Sequence, residues 1–313
     1  MTLPKIIAIT GPNASGKSSL GIELAKTFDG EIISADSRQV YRGFDLCCGM
    51  IADEEARAVP HHLIKIKNIG ESFSVFDYQK MAYSLIPQIL NRGKVPFVVG
   101  GTGLYVRAVA NGYVFREGSA DTKLRDRLEK LPINELQAML TPEGRDFLAS
   151  NRSDSQNKRR IIRVIVKTAL GEPLDYENSA RYDVLRLGAK WTKEKLGERI
   201  DERLTARIEQ GMIDEVKTYI NNGGNQKYLY DLGLEYRYIL WYLTGKFQTF
   251  DEFKLETARA IKRFAKRQAT WFKNDESIRW LDMEADYLKQ ARSLISDFLG
   301  RGTVSGNRQG RQV

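Results

Sequence analysis

Lys17 and Ser18 close an octapeptide, Gly11-Pro12-Asn13-Ala14-Ser15-Gly16-Lys17-Ser18, whose spacing is Gly-x4-Gly-Lys-Ser. Each residue type in this P-loop has a chemical reason. The glycines let the backbone curl so that successive N–H groups point at phosphate oxygens. Lys17 adds a mobile positive charge, Ser18 offers a hydroxyl to Mg²⁺, and a helix starting there contributes its positive end. The flanks fit as well: Ile6-Ile7-Ala8-Ile9-Thr10 is strand-like, and helical sequence spans 17–28. A glycine-rich turn with a stray lysine would require neither. The pattern specifies phosphate, not which phosphate compound.

Asp36 follows a second apolar run, Glu31-Ile32-Ile33-Ser34-Ala35, and so falls at the same edge of a sheet as the P-loop. A carboxylate there suits a general base or a metal ligand. A turn or helix-cap aspartate is the bland alternative, and Asp36-Ser37 suits both. Thr102, in Gly100-Gly101-Thr102-Gly103-Leu104-Tyr105, closes a third strand and either faces the same cleft or sits in a glycine turn.

Two further segments concentrate positive charge at helical spacing. Arg159, Arg163 and Lys167 recur at i, i+4, beside Ile162 and Val166. Arg259, Arg263 and Arg267 form one stripe, and Lys262 and Lys266 another, with Ile261, Ala265 and Phe272 on an apolar face. Such stripes suit a nucleic-acid backbone, although a solvated helix face is the common fate of a charge run.

The elements that must position these residues follow an α/β rhythm: strands at 6–10, 31–35 and 95–99 alternate with helical stretches at 17–28 and 78–90. That predicts a P-loop NTPase-like, doubly wound parallel sheet with ligands at the carboxyl ends of the strands. From 121 to 181 the chain is charged and nearly free of strand-like runs, which reads as an inserted helical domain. Residues 184–189 return to the sheet, and long helices are expected at 193–221 and 250–274. The core domain then comprises 1–120 and 182–299, with 300–313 a disordered tail. The chain has 49 Lys and Arg against 40 Asp and Glu, a formal charge of +9, which favours a polyanionic partner. Cys47 and Cys48 are the only cysteines, so a disulfide framework and an all-cysteine zinc site are excluded. No signal-peptide pattern opens the chain and no apolar run approaches the roughly 20 residues of a membrane span, so a cytoplasmic protein is expected.

Taken together, these motifs resemble the tRNA dimethylallyltransferase (tRNA isopentenyltransferase) family. The P-loop octapeptide is similar to the family's first motif. The run from Ile32 through Asp36-Ser37-Arg38-Gln39 to Gly43 is similar to its second, with Pro60-His61-His62-Leu63 as a shorter landmark and Gly100 to Tyr105 as the third. Asp154 to Arg160 falls where the family carries a basic tRNA-contacting segment, and Ala265 to Phe272 resembles its Lys-Arg-Gln and Thr-Trp-Phe signature. The resemblance implies transfer of a dimethylallyl group from dimethylallyl diphosphate, with Mg²⁺, to the exocyclic N6 amine of the adenosine on the 3′ side of a tRNA anticodon. It implies Asp36 as base and Thr102 as its hydrogen-bonding companion. Residues 11–18, with Arg237, would hold diphosphate, and Ser18 would also hold the metal. Ser37, Arg38, Gln39, Arg125, Gln156, Asn157, Lys158, Arg159, Arg160, Arg263, Lys266, Arg267 and Gln268 would hold the anticodon stem-loop. A monomer is expected.

Two stretches depart from the family pattern. Leu46-Cys47-Cys48-Gly49-Met50 replaces a Gly-Thr-Ala-Lys-type run, and Glu235 stands for glycine in Gly233-Leu234-Glu235-Tyr236-Arg237. Two other readings stay open on the residues alone: a P-loop small-molecule kinase that uses ATP, and an RNA-binding protein with a vestigial nucleotide site.

Overall fold

A computed structural model describes residues 2–51, 57–115, 122–150 and 156–300. Of the tail expected over 300–313, residues 301–313 lie outside them. Two compact units are formed, one of Met1–Ala110 with Arg181–Val313 and one of Asn111–Ala180.

The first unit is organised by a parallel sheet of β1 (Lys5–Thr10), β2 (Gly30–Ser34), β3 (His61–His62), β4 (Val95–Gly100), β5 (Asp183–Lys190) and β6 (Ile278–Asp282). The strand order is β3-β2-β4-β1-β5-β6. In β1, Ile7 and Ile9 join one core while Ile6 and Ala8 join another on the opposite face. Burial on both faces is why these strands read as continuous apolar runs rather than alternating ones. Each such isoleucine contributes about 1.5–3 kcal/mol of burial. Because β2, β4 and β1 are neighbours, the segments that leave their carboxyl ends, carrying Asp36, Thr102 and the P-loop, share one edge of the sheet.

Helices α1 (Lys17–Phe28), α2 (Asp45–Cys48), α3 (Val75–Asn91) and α4 (Gly103–Ala110) lie within the first part of this unit. Their starts differ in a way that matters. α3 opens with a full capping box, Ser74 with Asp77, whereas α1 opens at Gly16 with no side-chain cap. The first N–H groups of α1 are thus left for something other than its own side chains.

The second unit contains α5 (Thr122–Lys130), α6 (Ile133–Ala138), α7 (Pro142–Ala149) and α8 (Lys158–Ala169), packed on Leu128, Leu136, Leu148, Ile161 and Ile162. Asn157 caps α8 by accepting the Arg160 N–H at 3.4 Å.

The chain then adds α9 (Lys193–Glu209), α10 (Met212–Asn221), α11 (Gln226–Leu232), α12 (Leu234–Leu243), α13 (Phe250–Lys273) and α14 (Tyr287–Leu299) to the first unit. The single helix expected over 193–221 breaks at Gly211 into α9 and α10. A helical core of Phe44, Leu204, Val216, Ile239, Phe253 and Ile261 ties α2 to α9, α10, α12 and α13. Among the described residues no helix is long and apolar enough to cross a membrane.

Candidate active site

The P-loop leaves β1 and enters α1, as its sequence requires. Lys17 Nζ donates to the Pro12 carbonyl at 3.2 Å, folding the lysine back over the loop. Burial pushes the Lys17 ammonium down to about 8, helped by the nearby Arg203 charge and opposed by Asp36. Ser15 Oγ is buried and has no hydrogen-bond partner among the described residues. Buried hydroxyls are normally paired; this one lies against Gly11, where an added Cβ would meet it at 2.6 Å. A cavity of about 410 Å³ opens on this loop, lined by Lys17 and Ser18 on one side and by Gly49, Met50, Arg199 and Arg203 on the other.

Asp36 stands just past β2, half-buried, with Oδ1 accepting the Arg38 N–H at 2.9 Å. This short turn orients the carboxylate, and its field reaches both Lys17 and Arg203. Thr102 lies beside it. The Ser37 N–H donates to Thr102 Oγ1 at 2.9 Å, Thr102 Oγ1 donates to Ser37 Oγ at 3.3 Å, and the Thr102 N–H donates to the Ala35 carbonyl at 3.1 Å. The carboxylate and the hydroxyl expected to work together are therefore laced through one residue, Ser37.

What holds the P-loop from outside was largely missed by sequence reasoning. Arg203 Nη1 donates to Asn13 Oδ1 at 3.0 Å and its Nη2 to the Gly49 carbonyl at 3.2 Å. Arg199 Nε donates to the Ala14 carbonyl at 3.0 Å and stacks on Trp191 at 4.5 Å, whose Nε1 donates to the Ser15 carbonyl at 2.9 Å. A signal existed: Arg199, Arg203 and Arg207 recur at i, i+4 on α9, the same spacing that singled out the other basic stripes.

Arg237 does not join this group. Its Nε donates to the Tyr230 carbonyl at 3.0 Å and its guanidinium lies 4.3 Å from the Tyr230 ring. Positions 235 and 237 stand roughly 200° apart around a helix, so with Glu235 turned into the core, Arg237 turns away from it. Two residues expected to contact RNA make hydrogen bonds within the site. Gln268 on α13 accepts the Asn13 N–H at 2.8 Å and donates to the Gly101 carbonyl at 2.9 Å, bridging the P-loop to the Thr102 loop. Gln39 is buried, accepting from Ser34 Oγ at 3.0 Å and donating to the Gly49 carbonyl at 3.3 Å. Trp271 of the late signature packs on Gly103, where an added Cβ would meet the indole at 2.0 Å, and Arg107 covers the same ring at 3.8 Å.

The remaining candidates divide by exposure. Arg263, Lys266 and Arg267 are exposed on the outer face of α13, while Ile261, Ala265 and Phe272 are buried on its inner face. Ser37 and Arg38 are half-buried beside Asp36. In the second unit, Arg125, Gln156, Asn157, Arg159 and Arg160 are exposed, and Lys158 Nζ donates to the Glu129 carbonyl at 2.7 Å. Arg163 and Lys167 lie against Tyr176 at 4.3 Å and 5.3 Å, so that stripe is only partly solvated. Both thiols are held protonated by burial, which pushes Cys47 and Cys48 up.

A model of the IPP transferase family matches residues 39–275. The chain is 40% identical over 302 residues to the tRNA dimethylallyltransferase of Carboxydothermus hydrogenoformans, covering 93% of this chain and 96% of that one. It is 39% identical over 300 residues to tRNA dimethylallyltransferase 1 of Geotalea uraniireducens, with the same coverages of 93% and 96%. The solved full-length tRNA isopentenylpyrophosphate transferase of Bacillus halodurans superposes with a TM-score of 0.71 at 36% identity, covering 95% of each chain. The P-loop, its neighbouring aspartate and this similarity over nearly the whole length agree, and the chain belongs to the IPP transferase family, the tRNA dimethylallyltransferases.

Proposed function

We propose that this prenyltransferase moves the dimethylallyl group of dimethylallyl diphosphate onto the exocyclic N6 amine of the adenosine on the 3′ side of a tRNA anticodon, in the cytoplasm. The observation that carries the reading is the shared sheet edge: a phosphate cradle, a carboxylate and a hydroxyl sit together there. In the transfer, the bond between the allylic carbon and the diphosphate oxygen breaks as a bond from N6 to that carbon forms. One N6 proton passes to the Asp36 carboxylate. Thr102 directs the amine, since its hydroxyl is held beside Asp36 through Ser37. The P-loop N–H groups, Ser15, Lys17, Arg199 and Arg203 take the charge that grows on the leaving diphosphate.

Mg²⁺ fits this donor set. It favours oxygen ligands, retains waters and leans on substrate phosphates, and Ser18 offers its hydroxyl at the cavity wall. When bound, the ion would add positive charge at the departing diphosphate. The adenine must leave the anticodon-loop stack to reach the edge. Exposed Arg125, Arg159, Arg160, Arg263, Lys266 and Arg267 are the residues we assign to the RNA backbone. We assign Gln39 and Gln268 to holding the site's loops in place, on their hydrogen bonds, and leave Arg237, which lies against Tyr230, out of the diphosphate set.

The test is direct. Dimethylallyl diphosphate, Mg²⁺ and an anticodon stem-loop with the target adenosine are incubated with the protein and the RNA is weighed; a gain of one dimethylallyl group is expected. Asp36→Asn should keep RNA affinity while the transfer rate falls by about 10²–10⁴, the usual contribution of a general base. Full rate in that variant would remove Asp36 from the role, and RNA binding with no transfer by the unaltered protein would sink the proposal.

A further inference from the structure

The two stretches that depart from the family pattern meet in space, and one side chain joins them. Arg207 on α9 donates Nε to the Leu46 carbonyl, Nη2 to the Cys47 carbonyl and Nη1 to Glu235 Oε1, the last at 3.2 Å. Arg207 and Glu235 are 7% and 5% exposed, so this is a buried ion pair. At the other end of the α2 turn, the Leu46 and Cys47 N–H groups each donate at 2.9 Å to the two carboxylate oxygens of Glu215. The turn is thus clamped by an anion at its N–H end and a cation at its carbonyl end, the favourable sense for its dipole. Two residues further on, the Gly49 carbonyl accepts from Arg203, which also holds Asn13 of the P-loop. Gly49 sits at φ +63, and an added Cβ there would fall 2.1 Å from Arg203 Nη2. Only glycine lets the turn and the guanidinium approach this closely.

We propose that Arg207 and Glu235 are positioning residues for diphosphate binding: their ion pair fixes the 46–49 turn and, through Gly49, sets Arg203 against the P-loop. The inference rests on the diphosphate role proposed above. Electrostatics give the carboxylate a second purpose. Arg203, half-buried at the cavity wall, and buried Arg207 are neighbouring cations, and desolvation with the Arg207 charge lowers Arg203 from its ordinary value while Glu235 and Asp36 raise it. Glu235 is therefore the counter-charge that lets buried Arg207 sit behind Arg203, which lines the cavity. With glycine at 235, Arg207 would be left as an unpaired buried charge, a strongly destabilising arrangement.

Binding of inorganic diphosphate, measured by calorimetry, tests this alongside thermal melting. Glu235→Gln, which keeps the shape and removes the charge, should weaken diphosphate about tenfold with anticodon stem-loop affinity unchanged. Arg207→Lys should weaken it similarly, since an ammonium cannot reproduce the three-way fork. The decisive variant is Arg207→Met with Glu235→Met. Replacing a buried pair by apolar residues of similar volume restores stability, yet nothing then fixes the turn, so diphosphate should stay about tenfold weaker although melting returns to near the unaltered value. Recovery of diphosphate affinity in that double variant would overturn the proposal, reducing the pair to filling space, as would wild-type affinity in Glu235→Gln. Loss of prenyl transfer with diphosphate binding intact would strike the proposed function and leave this inference standing. Failure of the unaltered protein to bind diphosphate would remove both.

Discussion

At the scale of single residues, Lys17 is the most informative. Its ammonium is lowered to about 8 by burial in a loop that already faces Arg203. A bound diphosphate supplies the missing counter-charge and raises it again, so above pH 8 binding must take up a proton. Diphosphate affinity should then fall by up to about tenfold per pH unit above 8, and be independent of Lys17 ionisation well below it. Calorimetry from pH 7 to 9.5 checks this against Lys17→Met, in which the extra fall should vanish; the ligand's own ionisation is common to both and cancels. The sign for folding is the reverse. The unfolded chain binds this proton up to about 10.5 and the folded chain only up to about 8, so the folded state is penalised at pH 7 and relieved as pH rises through that window. Lys17→Met should therefore melt higher than the unaltered protein at pH 7, with the gap closing by pH 10. A gap that does not change with pH would mean that Lys17 is charged throughout.

At the scale of elements, α13 does two jobs on two faces. Its outer face is basic, and its inner face carries Gln268, which ties the P-loop N–H of Asn13 to the carbonyl of Gly101. Gln268→Ala leaves a half-buried N–H without its acceptor and frees the two loops from each other. Turnover of the anticodon stem-loop should fall about ten- to a hundredfold, matching the 1–3 kcal/mol cost of an unmade hydrogen bond. RNA affinity should hardly change; an RNA affinity that falls in parallel would restore Gln268 to the RNA surface. This residue shows what could be read in advance. Periodicity places 268 with Ala265 and Phe272, the buried face, but the resemblance of Lys266-Arg267-Gln268 to the family's late signature implies RNA. The strands, α1, the P-loop and Asp36 were legible because each is announced by neighbours within a few positions. Arg203, Gln39 and Gln268 were not, because their partners come from loops tens to hundreds of residues away. The edge strands β3 and β6 were also invisible: β3 has two residues, and β6 interrupts its apolar residues with Arg279 and ends on Asp282, so neither forms an apolar run.

At the scale of the whole molecule, the formal charge of +9 acquires meaning only by where it is exposed. Much of the basic sequence is already engaged: Arg199, Arg203 and Arg207 brace the P-loop side, Arg163 and Lys167 cover Tyr176, and Lys262 pairs with Asp201 at 2.6 Å. Arg159 in the second unit and Lys266 in the first remain exposed. If these two meet phosphates, each should carry about one unit of the slope of log affinity for tRNA against log salt, since a contacted phosphate releases roughly one counterion. Arg159→Ala and Lys266→Ala should each flatten that slope by about one and weaken binding alike for stem-loops of different sequence, because a backbone contact reads charge and not bases. Lys262→Ala, whose charge already has a carboxylate partner, should flatten it less. A slope that stays unchanged in Arg159→Ala and Lys266→Ala, or falls equally in all three variants, would mean that exposure does not pick out the phosphate contacts and that the RNA lies on a different face of the two units.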